Sequence, residues 1–247
     1  MILAIDAGNS RVKWGWHDGR AWHGLATVSL IEFAAASHDI NPFAATQENA
    51  DQIVISNVAG DGAHQLLVNW TSIFEAEPLW VHGAAECCGV TNRYERPEQL
   101  GPDRWAALIA AHALDPGRCL VVNAGTATTV DVLSSEGEFL GGLILPGVEL
   151  MRFVLHEHTG RLPIQQGSYR EAPRNTLDAI ETGCRHAQAG AVERMYRLMG
   201  SKGQCLVSGG AGQALIEMLE LPCRYVENLV LEGLVRIGRA EALRQRS

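Results

Sequence analysis

No apolar run in the chain approaches the ~20 residues needed to cross a bilayer, so no membrane-spanning helix is expected. Clustered basic residues are missing too. Lys and Arg number 20 against 28 Asp and Glu, which leaves a formal net charge of −8. Tight binding to nucleic acid or to an anionic membrane needs clustered positive charge, so neither partner is expected. The six cysteines, Cys87, Cys88, Cys119, Cys184, Cys205 and Cys223, contain no CxxC pair. That argues for reduced thiols in a cytoplasmic protein, not for a disulfide framework or a zinc site. The opening MILAIDAGNS has no basic stretch and reaches Asp6 after five residues, so it reads as a strand and not as a signal peptide. No low-complexity linker is visible.

What is present is an ordinary globular composition. Of 247 residues, 47% are hydrophobic and 19% charged, enough for one large domain or two small ones. A weak internal repeat favours two. MILAIDAGNS at 1–10 aligns with LVVNAGTATT at 120–129, which sets Asp6 opposite Asn123, Gly8 opposite Gly125 and Asn9 opposite Thr126. Each copy continues into an apolar stretch, a polar turn (Asp18-Gly19 or Ser135-Glu136-Gly137) and a further apolar stretch. Each half is therefore expected to open as strand, tight loop, strand, turn, strand. Helical spacing follows at 103–114, closed by Asp115-Pro116-Gly117, and at 176–199 behind Asn175 as N-cap. Gln204–Ser208 reads as a strand, with helices from Gln213 and over Leu229–Arg244. Two similar α/β domains, 1–117 and 118–247, are expected to face one cleft.

The two loops have the composition of anion sites. In DAGNSRVK at 6–13, Gly8 allows close approach of a ligand. Asn9, Ser10 and successive backbone N–H groups can surround a phosphate. Asp6 would repel a bare phosphate but can hold Mg²⁺, and Lys13 can neutralise developing charge. In NAGTATTVD at 123–131, Gly125 gives the tight turn and Thr126, Thr128 and Thr129 give hydroxyls. A plain hairpin turn explains either loop alone; two in matching places favour the phosphate reading. Neither fits GxxxxGK[ST] or GxGxxG. Gly101-Pro102-Asp103-Arg104 opens a helix, and Pro and Asp are ordinary residues there. Asp103 also has the chemistry of a base for an alcohol, with Arg104 beside it as a carboxylate-binding fork. His156 and His158 lack helical zinc spacing and read as surface residues. The six tryptophans, without basic clusters beside them, read as core and interface residues.

Four motifs in order, DAGNSRVK at 6–13, LGPDR at 100–104, NAGTATTVD at 123–131 and NTLDAIETG at 175–183, make the chain similar to the type III pantothenate kinases, a family that includes the Bvg accessory factors. The resemblance spans essentially the whole chain. It implies two duplicated RNase H-like domains of the actin/hexokinase/Hsp70-type ATPase fold. It also implies transfer of the ATP γ-phosphoryl group to the 4′-hydroxyl of pantothenate, the first step of coenzyme A synthesis. On that resemblance Asp6, Ala7, Gly8, Asn9, Ser10, Arg11, Val12 and Lys13, with Gly125 and Thr126, bind ATP, and Mg²⁺ accompanies it at Asp6. Asp103 accepts the hydroxyl proton. Tyr94, Gly101, Pro102, Arg104 and Thr176 contact pantothenate in a homodimer. One position departs from the family. Asn123 stands where an Asp commonly binds an activating monovalent cation. It keeps a carbonyl ligand and loses the charge, so weak or absent potassium or ammonium stimulation is expected.

Two other readings remain at this point. One is a different small-molecule kinase or polyphosphate hydrolase of the same fold, although those chains usually run longer and lack these motifs in this order. The other is a non-enzymatic regulator, although no basic recognition helix is evident.

Overall fold

The computed structural model describes residues 1–35 and 49–245. The chain forms two compact units, Met1–Leu114 with Leu229–Ser247, and Asp115–Asn228. The division falls close to the expected residue 117. The C-terminal helix differs from expectation, because it belongs to the first unit and not to the second.

The first unit is built on strands β1 (Ile2–Ala7), β2 (Arg11–His17), β3 (Trp22–Ser29), β4 (Gln52–Asn57) and β5 (Pro78–Trp80), in the order β3-β2-β1-β4-β5. β1, β2 and β3 form an antiparallel meander, and β4 and β5 continue parallel to β1. Helices α1 (Leu30–Ala35), α2 (Asp61–Thr71) and α3 (Pro102–Leu114) follow, with a short β6–β7 hairpin (Glu86–Cys87, Val90–Asn92) before α3. Side chains alternate across β1. Leu3, Ile5 and Ala7 join a core with Val12, Trp14, Trp16, Ile53, Ile55 and Trp70. Ala4 and Asp6 therefore point to the opposite face. The second unit has β8 (Cys119–Ala124), β9 (Ala127–Leu133), β10 (Glu138–Pro146), α4 (Val148–His158), α5 (Thr176–Leu198), β11 (Gln204–Ser208), α6 (Gly212–Ile216) and β12 (Cys223–Tyr225). Its strands run β10-β9-β8-β11-β12 with the same directions: a meander, then two parallel strands. The repeat read in the sequence is thus a repeat of topology.

The last helix, α7 (Leu229–Arg244), explains the unit boundary. A Cβ at Gly233 would lie 1.9 Å from Ala106 O of α3, and one at Gly238 would lie 2.7 Å from Val54 Cγ2 of β4. Only glycine lets the backbones approach this closely. α3 buries every residue from Arg104 to Ala111, which an amphipathic surface helix does not do. α7 supplies one of its walls.

Candidate active site

Asp6 lies between two register partners, Lys13 on β2 and Ser56 on β4. As a residue it is half-buried, but its Oδ1 is shut off from solvent. Neither that atom nor Ser56 Oγ has a hydrogen-bond partner among the described residues. Burial pushes the Asp6 pKa up to about 7, and the negative charge of Asp103 adds to the rise. The Ser56 hydroxyl, near but outside hydrogen-bonding geometry, and the Lys13 ammonium pull the other way. The turn that follows is closed by Gly8 N–H donating to Arg11 O at 2.9 Å. It leaves Asn9, Ser10 and Arg11 exposed, while Val12 returns to the core.

Gly101 caps α3 through its carbonyl, which accepts from Trp105 N–H at 2.9 Å. Pro102 then occupies the first helical position, where a missing N–H costs nothing. Asp103 Oδ1 accepts from the Arg104 N–H at 2.8 Å, and a Cβ at Gly101 would sit 2.7 Å from that same oxygen. Burial raises the Asp103 pKa, opposed by the Arg104 N–H and by the Arg104 charge. Arg104 is itself 4% exposed. Its Nη1 donates to Tyr94 Oη at 3.0 Å, and its guanidinium carbon lies 5.7 Å from the Tyr94 ring centre. Asp6, Lys13 and Asp103 are thus in one electrostatic group, and Tyr94 and Arg104 are in contact.

In the second unit Asn123 occupies the place of Asp6. Its register partners are Thr129 on β9 and Ser208 on β11. The turn is one residue shorter and is closed by Gly125 N–H to Ala127 O at 3.0 Å. Gly125 and Thr126 are exposed at its tip. Gly209, with φ 94, comes so close that a Cβ would meet Asn123 Oδ1 at 2.7 Å. Thr176 belongs to another element of this unit. It starts α5 behind Asn175, whose side chain accepts from Asp178 N–H, and it lines a groove of about 990 Å³ with Met151, Val154, Leu155, Leu162 and Ile180.

Ser56 is the residue that the motifs do not reveal. A single serine in an apolar strand is unremarkable, yet VISNVAG at 54–60 aligns with LVSGGAG at 206–212. The alignment pairs Ser56 with Ser208, a third segment of the repeat. His156 Nδ1 is engaged by Leu162 O at 2.7 Å and His158 is exposed. No group of three metal-ligating His, Cys, Asp or Glu occurs among the described residues. Trp14, Trp16, Trp70 and Trp105 are core; Trp22 and Trp80 are half-buried.

Two units of one topology, each with a polar turn between its first two strands, define the actin/hexokinase-like ATPase fold, whose members include kinases. Solved structures of low sequence identity share it. A Sinorhizobium meliloti protein described as a 2-dehydro-3-deoxygalactonokinase superposes with TM-score 0.65 at 16% identity, over 98% of this chain and 99% of that one. A Campylobacter jejuni protein described as a Baf family transcriptional activator gives 0.61 at 22%, with the same coverages. The type III pantothenate kinase profile matches residues 2–198. The type III pantothenate kinase of Aromatoleum aromaticum is 50% identical over 246 residues, 98% of this chain and 99% of the relative. The chain belongs to the type III pantothenate kinase family. Neither other reading draws support from these likenesses, since similarity at 22% identity speaks for fold alone.

Proposed function

We propose that the protein transfers the ATP γ-phosphoryl group to the 4′-hydroxyl of pantothenate, opening coenzyme A synthesis in the cytoplasm. The family membership supports the activity and substrate. The observation that supports the site is the acidic group of the first unit: Asp6 and Asp103, each raised by burial, beside Lys13 and a buried, unpartnered Ser56 hydroxyl.

The residues fit a hard divalent cation. Asp6 Oδ1 and Ser56 Oγ are oxygen donors without partners, and a cation would relieve the repulsion between two carboxylates. Mg²⁺ is held through one or two protein carboxylates, with waters and substrate phosphates completing its shell. Asp6 and Ser56 would hold it, directly or through water, and bound there it would neutralise charge on the phosphates. The Gly8–Arg11 turn presents backbone and side-chain donors to the phosphates, and Lys13 screens the transferred group. Gly125 and Thr126 serve as a second contact. Asp103 accepts the hydrogen bond of the attacking hydroxyl and takes its proton late in a loose transition state. A raised pKa makes it a better proton acceptor once ionised. Arg104, steadied by Tyr94, pairs with the pantothenate carboxylate; Gly101 and Pro102 shape the same wall. At Asn123 a lone amide carbonyl is a weak ligand for a monovalent cation, so potassium and ammonium should stimulate little.

A homodimer completes this reading. Thr176 lines an apolar groove, and Phe153, Val154 and Ile164 near it are exposed at 49%, 43% and 52%. Exposed apolar surface of this kind is typical of an interface, and a second copy of the chain would cover it.

The test of the activity is product analysis by mass spectrometry and ³¹P NMR after incubation with MgATP and pantothenate. The expected product is a monoester at the primary hydroxyl. No phosphorylated pantothenate would overturn the proposal.

A further inference from the structure

The β6–β7 hairpin carries adjacent cysteines. Along a strand, neighbouring side chains point to opposite faces. Here Cys88 takes a left-handed backbone, φ 52, followed by Gly89 at φ 80, so the chain reverses within two residues and Glu86 faces Thr91. The reversal brings Cys87 Sγ and Cys88 Sγ within 3.5 Å of each other. Cys88 is exposed and Cys87 buried, so the pair opens to solvent at one end. Its backing is firm. Cys88 Sγ lies 3.7 Å from Arg236 O of α7, and Gly89 packs so that a Cβ would lie 3.5 Å from His112 Nε2 of α3.

Within the pair, Cys87 is the thiol more readily ionised. The hydrogen bond from Cys88 brings Cys87 down to about 7, with Arg244 assisting against burial and Glu241. The same bond, burial and the neighbouring thiolate push Cys88 up. Cys119, Cys184, Cys205 and Cys223 are all raised, chiefly by burial, and protonated thiols are poor nucleophiles. Cys205 and Cys223 are register partners and form the competing pair, but neither has a neighbour that ionises it.

We propose that Cys87 and Cys88 form a dithiol site for a trivalent arsenical, with both sulfurs bound to one arsenic. An arsonous acid R–As(OH)₂ meets two thiols. Two S–H and two As–O bonds break, two As–S and two O–H bonds form, and two waters leave. Arsenic keeps its oxidation state, so no oxidant is needed. A pyramidal three-coordinate centre holds its sulfurs on one side, as this turn does. A linear two-coordinate soft cation needs them on opposite sides. Tetrahedral zinc needs further ligands, and no group of three occurs among the described residues.

The test uses the full-length reduced protein with one equivalent of phenylarsine oxide. Intact mass should show one phenylarsenic adduct, and two of the six thiols should stop reacting with a thiol reagent. The adduct should map to residues 87–88, resist excess 2-mercaptoethanol and yield to 2,3-dimercaptopropanol. Closing the second As–S bond is intramolecular, so Cys88→Ser, at an exposed position, should weaken retention about 10²–10⁴-fold and let the monothiol strip the adduct. Cys223→Ser should change nothing. An adduct on Cys205 and Cys223, or equal retention by the parent and Cys88→Ser, overturns the proposal.

Discussion

Asp103 is pulled two ways: burial raises its pKa, and the Arg104 N–H and guanidinium lower it. If its role is that of base, Asp103→Asn keeps the shape and removes the proton acceptor. Turnover should fall ~10²–10⁴-fold, with pantothenate binding changed far less and the melting temperature held or raised, because a buried carboxylate is gone. Near-normal turnover would reduce Asp103 to a helix-start residue. For Asp6→Asn the expected signature is a higher Mg²⁺ requirement with pantothenate binding kept. Ser56→Ala should shift the same Mg²⁺ curve in the same direction and by less, since a hydroxyl is a weaker donor than a carboxylate. Titration of each variant with Mg²⁺, read by ADP formation and by direct nucleotide binding, checks both. Equal curves for parent and variants would leave the buried oxygens of Asp6 and Ser56 without a function. At Asn123, introduction of Asp should increase potassium stimulation; a strong requirement in the unmodified protein would place the cation elsewhere.

Among the elements, α3 is the one whose position matters most, because Asp103 and Arg104 sit on its first turn. Its contact with α7 runs through Gly233 against Ala106 O, so Gly233→Ala must push two backbones apart. Thermal unfolding should show a loss of about 1–3 kcal/mol, and turnover should drop with it. The start of α5 gives a pH prediction. Asp178 accepts from Ser168 N–H and from the Asn175 side chain, which hold its pKa below the usual carboxylate range. A group lowered on folding adds stability above its unfolded pKa and loses it as pH falls through the folded one. Asp178→Ala should therefore flatten the acid limb of the melting curve and leave the neutral limb parallel to the parent. Most of these elements were legible in the sequence, because turn residues and apolar spacing mark ends well: Gln204–Ser208 and Leu229–Arg244 are found where read, and α3 and α5 within a residue. The unit that α7 joins was not legible, since apolar periodicity says that a helix has a buried face and not what covers it. Ser56 was hidden for a related reason. Its meaning comes from standing beside Asp6 across β1 and β4, which only strand register supplies. The raised pKa of Asp103 is likewise a product of packing around it, invisible in a hexapeptide.

On the scale of the whole molecule, the two units repeat one five-strand order with unequal turns. The first has an acid and a lysine, Asp6 and Lys13, in register; the second has Asn123 and Thr129 in the same places. Duplication supplied two similar frames, and the charge stayed in one of them. If a second copy covers the groove beside α4 and α5, Val154→Asp should convert a dimer to a monomer in light scattering coupled to size exclusion. A parent protein that is already monomeric would contradict the dimer. The central claim is that phosphoryl transfer waits for pantothenate, and ADP release by purified protein in MgATP, with and without pantothenate, measures it directly. The account predicts release that depends on pantothenate and matches phosphorylated product one for one. Equal release in both conditions would contradict it.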